Sequence, residues 1–406
     1  MGILEKIKEV ELEMSRTQNN KATNAHIGML KARLAKLRNE LLAPAGGGGG
    51  GGEGFDVARS GDGRVAMIGF PSVGKSSLLS ELTDTESTAA GYEFTTLTCI
   101  PGNVMYNDTK IQLLDLPGII EGAAYGRGRG REVIAVARSS DMIIMVLDGA
   151  KEGGTNNHRA ILEKELETVG LRLNKSPPNV YYKAKKEGGV KFNTTVPLTK
   201  LGDDPAYSVK RILSEYKIHN CELLLREDVD SEQLVDALLG NRKYIKCLYV
   251  YNKVDMITLE DMDQLARLPN SIVASVYLKL NLEKLLEKMW EYMGLIRVFT
   301  KRKGNPPDLA EPVILSKQRH GITVQAATHH ISKEMKEIFN YALVWGTSTK
   351  HSPQRCGLSH VLHDEDVLQI VPKTVSQQKK SKDYSKRVQA ARDALAERRK
   401  KKPLKT

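Results

Sequence analysis

The chain has 406 residues, 40% apolar and 5% aromatic, enough for two or three domains with mainly aliphatic cores. Its four cysteines (Cys99, Cys221, Cys247, Cys356) are far apart, which argues against a disulfide frame or a Cys-x-x-Cys zinc site and fits a reducing compartment. No run is long and apolar enough to span a bilayer, and "MGILEKIKEVELEM" is too acidic for a secretory signal.

"KKPLKT" is no prenylation box and "MGILEK" lacks the sixth-position Ser or Thr of a myristoylation signal. These features predict a soluble, cytoplasmic protein without a membrane partner. The net charge of +12 is uneven. Residues 373–406 hold thirteen Lys and Arg against three acids, +10, which leaves +2 on the rest. A basic tail on a near-neutral body predicts a polyanionic partner, most simply nucleic acid, RNA or the ribosome among them; a solvated tail or a nuclear-targeting run is the other reading.

In chain order, Ile3, Ile7, Val10 and Met14 recur at helical spacing, and so do Leu30, Leu34, Leu37 and Leu41. They predict a helical hairpin over residues 1–43, with Asn24 as N-cap of its second helix. The hairpin reads equally as a self-packed coil or as a docking element. Residues 44–63 contain seven consecutive glycines, Gly46 to Gly52, and read as a flexible linker.

Residues 64–293 alternate strand and helix patterns. "RVAMIGF", "KIQLLDL", "DMIIMVLD", "IKCLYVYNKVD" and "NSIVASVY" are strand candidates, with "KSSLLSEL" and "NLEKLLEKMWEYM" among the helices. The alternation predicts an α/β domain with a mainly parallel sheet covered on both faces. The interval from Asp148 to Ile245 is too long for one crossover. After a helix over "NNHRAILEKELETVG", an insertion at about 171–243 is expected. It is read as a hairpin, "NVYYKAKKEGGVKFNTTV", and two helices, "DPAYSVKRILSEY" and "DSEQLVDALLG". Residues 294–372 read as a small α+β module, with strands "LIRVFTKRKG", "PVILSKQ" and "DVLQIVPK" and a helix over "ISKEMKEIFNYAL". The basic tail, 373–406, follows.

"GFPSVGKS" (Gly69, Phe70, Pro71, Ser72, Val73, Gly74, Lys75, Ser76) has the G-x-x-x-x-G-K-[ST] form between a strand and a helix that continues with Ser77. Its glycines let backbone N–H groups wrap phosphates at a helix N-terminus. Lys75 would reach the β and γ phosphates, and the Ser76 hydroxyl would bind Mg²⁺. "NKVD" ends a later strand. Asp255 can accept both guanine N1–H and the N2 amine. Adenine lacks that pair, and leaving the carboxylate unmatched costs ~1–3 kcal/mol, so the nucleotide is GTP or GDP. Asn252 would brace the loops, the Lys253 stem would cover the base, and the backbone at Ser275–Val276 would reach guanine O6.

"YEFTTLT" supplies Thr95 and Thr96 as candidates for a switch loop closing on Mg²⁺. In "DLPGII", Asp115 would touch the metal through water and the Gly118 N–H the γ-phosphate, with Leu116, Pro117 and Ile119 around them. Ile119 stands where many such switches carry a water-orienting glutamine, and its side chain can neither donate nor accept a hydrogen bond. Lys75, one of Thr95 and Thr96, Asp115 and Gly118 are therefore the catalytic candidates, and slow hydrolysis is expected.

The set "GFPSVGKS", "YEFTTLTCIPG", "DLPGIIEGA" and "NKVD", preceded by "GGGGGGGEGFDV", resembles the developmentally regulated GTP-binding protein (DRG) family within the Obg-like GTPases. The resemblance covers nearly the whole chain and identifies 294–372 as similar to a TGS domain, a ubiquitin-like β-grasp module. It implies Thr96 as the switch threonine on Mg²⁺, with Ser76 the other metal ligand. It also implies a ribosome-associated role in translation and a DRG-family regulatory partner protein. Related GTPases activated by K⁺ carry an asparagine where Ser72 stands, and the usual Ser-Ala of the last guanine motif is Ser275-Val276 here.

Overall fold

The computed structural model describes residues 3–18, 20, 23–42, 60–83, 100–116, 130–151, 157–202, 204–319, 321–332 and 335–374. They form two compact units. The first comprises the described residues up to Val104 and from Lys110 to Tyr292, the second Met105–Thr109 and those from Met293 onward. The glycine run, "YEFTTLT", "PGII" and the tail beyond Thr374 lie outside the described residues.

The first unit opens with two helices, α1 (Ile3–Arg16) and α2 (Asn24–Leu42). Ile7 and Val10 meet Leu30 and Leu34 in one apolar cluster. The cap differs from expectation. The Thr23 carbonyl accepts the first helical hydrogen bond, from the Ile27 N–H (2.9 Å). Thr23 and Asn20 bond reciprocally through Asn20 Oδ1 and Thr23 Oγ1 and fix the turn. Asn24 is thus the first helical residue, and its amide donates to the Lys200 carbonyl (3.0 Å).

The main sheet is built from β1 (Gly63–Ile68), β2 (Ile100–Tyr106), β3 (Thr109–Asp115), β4 (Met142–Asp148), β5 (Leu171–Leu173), β9 (Lys243–Asn252) and β10 (Ser271–Val273). Its order is β10-β9-β4-β1-β3-β2, with β5 on β9. The pairs β1/β3, β1/β4, β4/β9, β9/β10 and β5/β9 are parallel. Strands β1 and β4 are buried at every residue, as parallel strands covered on both faces must be. Helices α3 (Lys75–Leu82), α4 (Gly130–Ser139), α5 (His158–Thr168), α8 (Leu259–Ala266) and α9 (Leu282–Met293) alternate with the strands. Ile68, Leu114, Ile143, Met145 and Leu147 pack with Leu162 and Leu166 of α5 and Val136 of α4.

Because β5 belongs to the main sheet, the interruption between β4 and β9 starts after Leu173 rather than at Leu171. It holds β6 (Val180–Ala184), β7 (Val190–Thr194), α6 (Pro205–Glu215), β8 (Cys221–Leu225) and α7 (Ser231–Leu239). The expected hairpin of β6 and β7 does not form. β8 lies between them, antiparallel to β6 and parallel to β7. "CELLL" is the most apolar of the three strands and takes the centre, burying Cys221, Leu223 and Leu225. The Asn220 side chain ties the crossing loop, accepting from the Gly189 N–H and donating to the Lys186 carbonyl. Ala32 of α2 is buried in the same core as Val209, Ile212 and Leu234 of α6 and α7. The hairpin is therefore docked on the chain's own insertion.

The second unit has β11 (Leu295–Lys301), β12 (Pro307–Ser316), α10 (Val324–Ile331), α11 (Met335–Ile338), β13 (Phe339–Trp345), β14 (Gln354–Cys356) and β15 (Asp366–Pro372). The sheet order is β12-β11-β15-β13-β14, with β11 and β15 parallel at its centre. The helix expected over "ISKEMKEIFNYAL" is corrected: only its Met335–Ile338 part is helical as α11, α10 ends at its first residue, Ile331, and "FNYALVW" is a strand. Ala342 and Val344 face the core while their neighbours stay half-buried, a period of two with β-prone aromatics. Among the described residues no helix is long and apolar enough to cross a membrane.

Candidate functional site

The carboxyl ends of β1, β3, β4 and β9 open at one edge of the main sheet in two steps, with Ile68 level with Met145, three residues before the end of β4. Met67 pairs with Asp115, and Asp148 with Asn252. A crevice at the carboxyl ends of parallel strands is where open α/β sheets bind ligands.

The chain leaves β1 at Ile68, turns through residues 69–74 and enters α3 at Lys75. Ser72 (φ +64°) and Gly74 (φ +95°) adopt the left-handed conformation. Gly74 occupies the N-cap and no side chain caps the helix, so its first N–H groups are presented to a ligand. A Cβ on Gly74 would lie 2.4 Å from Asn252 Nδ2, and one on Gly69 2.4 Å from the Val146 carbonyl oxygen. Lys75 is only 8% exposed, and its Nζ donates to the carbonyls of Gly69 (2.9 Å) and Phe70 (3.0 Å). Burial lowers its pKa, with Asp115 pulling the other way. The ammonium is thus folded over the loop that would hold phosphates. Phe70 is half-buried, Val73 is buried, and Pro71, Ser72, Ser76 and Ser77 are exposed.

At the end of β3, Asp115 Oδ2 accepts from Ser76 Oγ (2.5 Å), while Oδ1 is buried without a partner. A hydroxyl beside a carboxylate with one unused oxygen is a hard-cation donor set, and it fits Mg²⁺. Leu116, which follows, is buried, and its N–H donates to the Met67 carbonyl. The remaining predicted residues of this corner, Thr95, Thr96, Pro117, Gly118 and Ile119, lie outside the described residues.

At the other end, β9 closes with buried Asn252. Its Nδ2 donates to the Val73 carbonyl (2.9 Å), and its Oδ1 accepts from the Val276 N–H (3.1 Å). One side chain therefore ties the phosphate-loop backbone to the loop after β10. Lys253 takes φ +62°, and its Nζ reaches the Ser72 carbonyl (2.9 Å) and Asp148 Oδ2 (2.8 Å). Asp255 sits in a short 3-10 turn, Val254–Met256, where its Oδ1 accepts from Ser275 Oγ (2.5 Å). Ser275 Oγ in turn accepts from the Leu278 N–H (3.2 Å), which fixes the loop.

Two residues of this region escaped the sequence reading. Asp148 is buried at the end of β4 and anchors both the Ala150 N–H and Lys253. Its signal was present, since "DMIIMVLD" ends an apolar strand in Asp just as "KIQLLD" does. The His158 ring lies 4.7 Å from that of Phe70, and its Nδ1 is buried without a hydrogen-bond partner. No sequence pattern marks it.

A phosphate-type loop at a strand–helix junction, an oxygen-ligand corner and an Asn-Lys-x-Asp turn on one mainly parallel sheet define a P-loop GTPase. Residues 64–183 match the family described as "50S ribosome-binding GTPase", 187–295 its "C-terminal region of MMR_HSR1 domain", and 296–372 the "TGS domain". The chain is 58% identical over 405 residues to Developmentally-regulated G-protein 1 of Arabidopsis thaliana, covering all of both chains. It is 57% identical over 373 residues to human Developmentally-regulated GTP-binding protein 2, covering 92% of this chain and all of the relative. Among solved structures, the Schizosaccharomyces pombe YchF GTPase aligns at 14% identity and a TM-score of 0.44, over 77% of this chain and 99% of that one. The chain belongs to the developmentally regulated GTP-binding protein family.

Proposed function

We propose that this protein is a cytoplasmic GTP switch that hydrolyses GTP slowly alone and faster when a ribosome, a DRG-family regulatory protein or K⁺ orders its switch loops. The observation that carries the reading is the Ser76–Asp115 corner, with its buried, unused Asp115 oxygen beside the phosphate-type loop. Mg²⁺ held there by Ser76 would supply charge that neutralises the phosphates. The chain's own groups do the rest. Lys75 and the N–H groups opening α3 hold the phosphates, Ser76 and Thr96 serve the metal, and Asp115 orients that shell. The Gly118 N–H senses the terminal phosphate. Asp255 reads the guanine edge, with Lys253 over the base and the Ser275–Val276 loop beside it. Ile119 offers nothing to orient the attacking water, so that task falls to the backbone, to the Thr95–Thr96 loop or to an added partner. RNA contact is assigned to the basic tail, and the family description "50S ribosome-binding GTPase" supports a ribosomal partner.

Single-turnover hydrolysis in sodium and in potassium, with and without ribosomes, tests the reading. Turnover alone is expected at ~10⁻² s⁻¹ or below, as in unassisted switches. Acceleration by at least one addition is expected, lost in Thr96→Ala and largely kept in Ile119→Ala. A fast rate indifferent to every addition would sink the mechanism. Absence of hydrolysis under all conditions would make the protein a scaffold that uses GTP structurally.

A further inference from the structure

A cavity of about 430 Å³ lies away from the nucleotide crevice, where α1 and α2, α5, β5 and α7 converge. Five cationic and four acidic side chains line it. Glu11 pairs with Arg38 (2.9 Å), Glu232 with Lys31 (3.0 Å) and Arg172 (4.0 Å), Asp236 with Arg172 (2.6 Å), and Glu167 with Lys175 (2.5 Å) beside the cavity. Five cations against four acids leave the lining with one positive charge in excess, and Lys164 is exposed.

Arg242 is the informative one. Its side chain is 6% exposed and its Nε lies 3.2 Å from Asp236 Oδ1, yet that nitrogen makes no aligned hydrogen bond. Asp236, 4% exposed, already receives a two-pronged bond from Arg172 (2.6 and 3.0 Å). The carboxylate thus serves one guanidinium fully and the second poorly. The charge balance reflects this. For Arg172, burial opposes the charge but its hydrogen bonds to Asp236 prevail and its pKa rises. For Arg242, burial prevails and its pKa falls below the ordinary value. Two buried arginines share one buried aspartate, with Glu232 4.0 Å from Arg172, so Arg242 is the more poorly matched of the two, and an anion would complete its match. Arg242 is also held in place. Its guanidinium packs on Gly170, where an added Cβ would come within 2.6 Å of Nη1.

We propose that this cavity is a binding site for a small phosphate-bearing molecule, with its phosphate on Arg242 and Lys164. A guanidinium fork suits tetrahedral oxyanions, and a surplus positive charge suits an anion. The volume exceeds that of a lone phosphate and falls in the range of small-metabolite sites. The walls come from the helical hairpin, the main sheet and the insertion, so an occupant would clamp all three. The proposal does not depend on GTP hydrolysis.

The test uses the full chain loaded with fluorescent GDP and titrates inorganic pyrophosphate by calorimetry while following GDP release. Saturable binding without GDP release is expected. It should weaken at least tenfold in Lys164→Glu, whose residue is exposed and whose melting should match the parent. It should vanish in Arg242→Met, which removes a poorly matched buried charge and should melt no lower than the parent. Binding that displaces GDP would place the anion in the phosphate loop. Equal binding by the parent and Arg242→Met would place it on the basic tail. Either outcome, or no saturable binding by the parent, overturns the proposal.

Discussion

Asn252 holds two loops with one amide, and its neighbours leave it little room. At Gly74 an alanine would need the left-handed conformation, costing roughly 1–2 kcal/mol, and would push its Cβ onto Asn252 Nδ2. Gly74→Ala should therefore weaken GDP binding more than tenfold by calorimetry, while nucleotide-free melting falls modestly. Near-parental affinity would show that the loop does not need this geometry. Asp255→Asn should shift preference from GTP toward xanthosine triphosphate, whose 2-oxo group matches an amide donor. Competition against fluorescent GDP measures it, and unchanged GTP affinity would remove Asp255 from the base site. The phosphate loop, Asp115 and "NKVD" were legible because their chemistry depends on short spacings at strand ends. The role of Asp148 depends on strand register instead. Its partner Lys253 lies 105 positions away in sequence, and a linear reading cannot see that pairing.

At the scale of elements, periodicity identified most strands and helices and failed where two periods overlapped. "MKEIFNYAL" satisfies a helical spacing, but Ala342 and Val344 are buried on alternate residues because the sheet needs β13 beside β15. The insertion failed differently. "NVYYKAKKEGGVKFNTTV" contains a fair turn, but β8 has the greater demand for burial and separates the two strands. Both misreadings are tertiary overrides of local pattern. The hairpin presents two faces, one packed through Leu30 on α1 and another through Ala32 on the insertion. Leu30→Ala should cost ~2–5 kcal/mol of local stability, since Leu30 is 1% exposed. Hydrogen exchange should then quicken throughout α1 and leave the central strands β1 and β4 protected. Uniform protection across both helices would mean that α1 is held by something other than this seam.

Over the whole molecule, charge is the feature that folding does not explain. The tail carries +10 of the net +12, and most of it lies outside the described residues. Truncation after Pro372 should leave GDP binding intact. It should also weaken ribosome co-sedimentation and flatten its dependence on salt, because each neutralised phosphate releases counterions. A truncated chain that sediments like the full one at every salt concentration would assign the contact elsewhere. The strand ends have a further consequence. Asp115, Asp148 and Asn252 reach the crevice through the register of β1, β3, β4 and β9, the same pairings that build the central core. A nucleotide gripping those ends favours the native register over every slipped one. At a concentration a hundredfold above its dissociation constant, such a ligand adds about 2.7 kcal/mol to the folded state. The guanine nucleotide supply would then govern how long each copy of the chain endures, apart from any signal it sends.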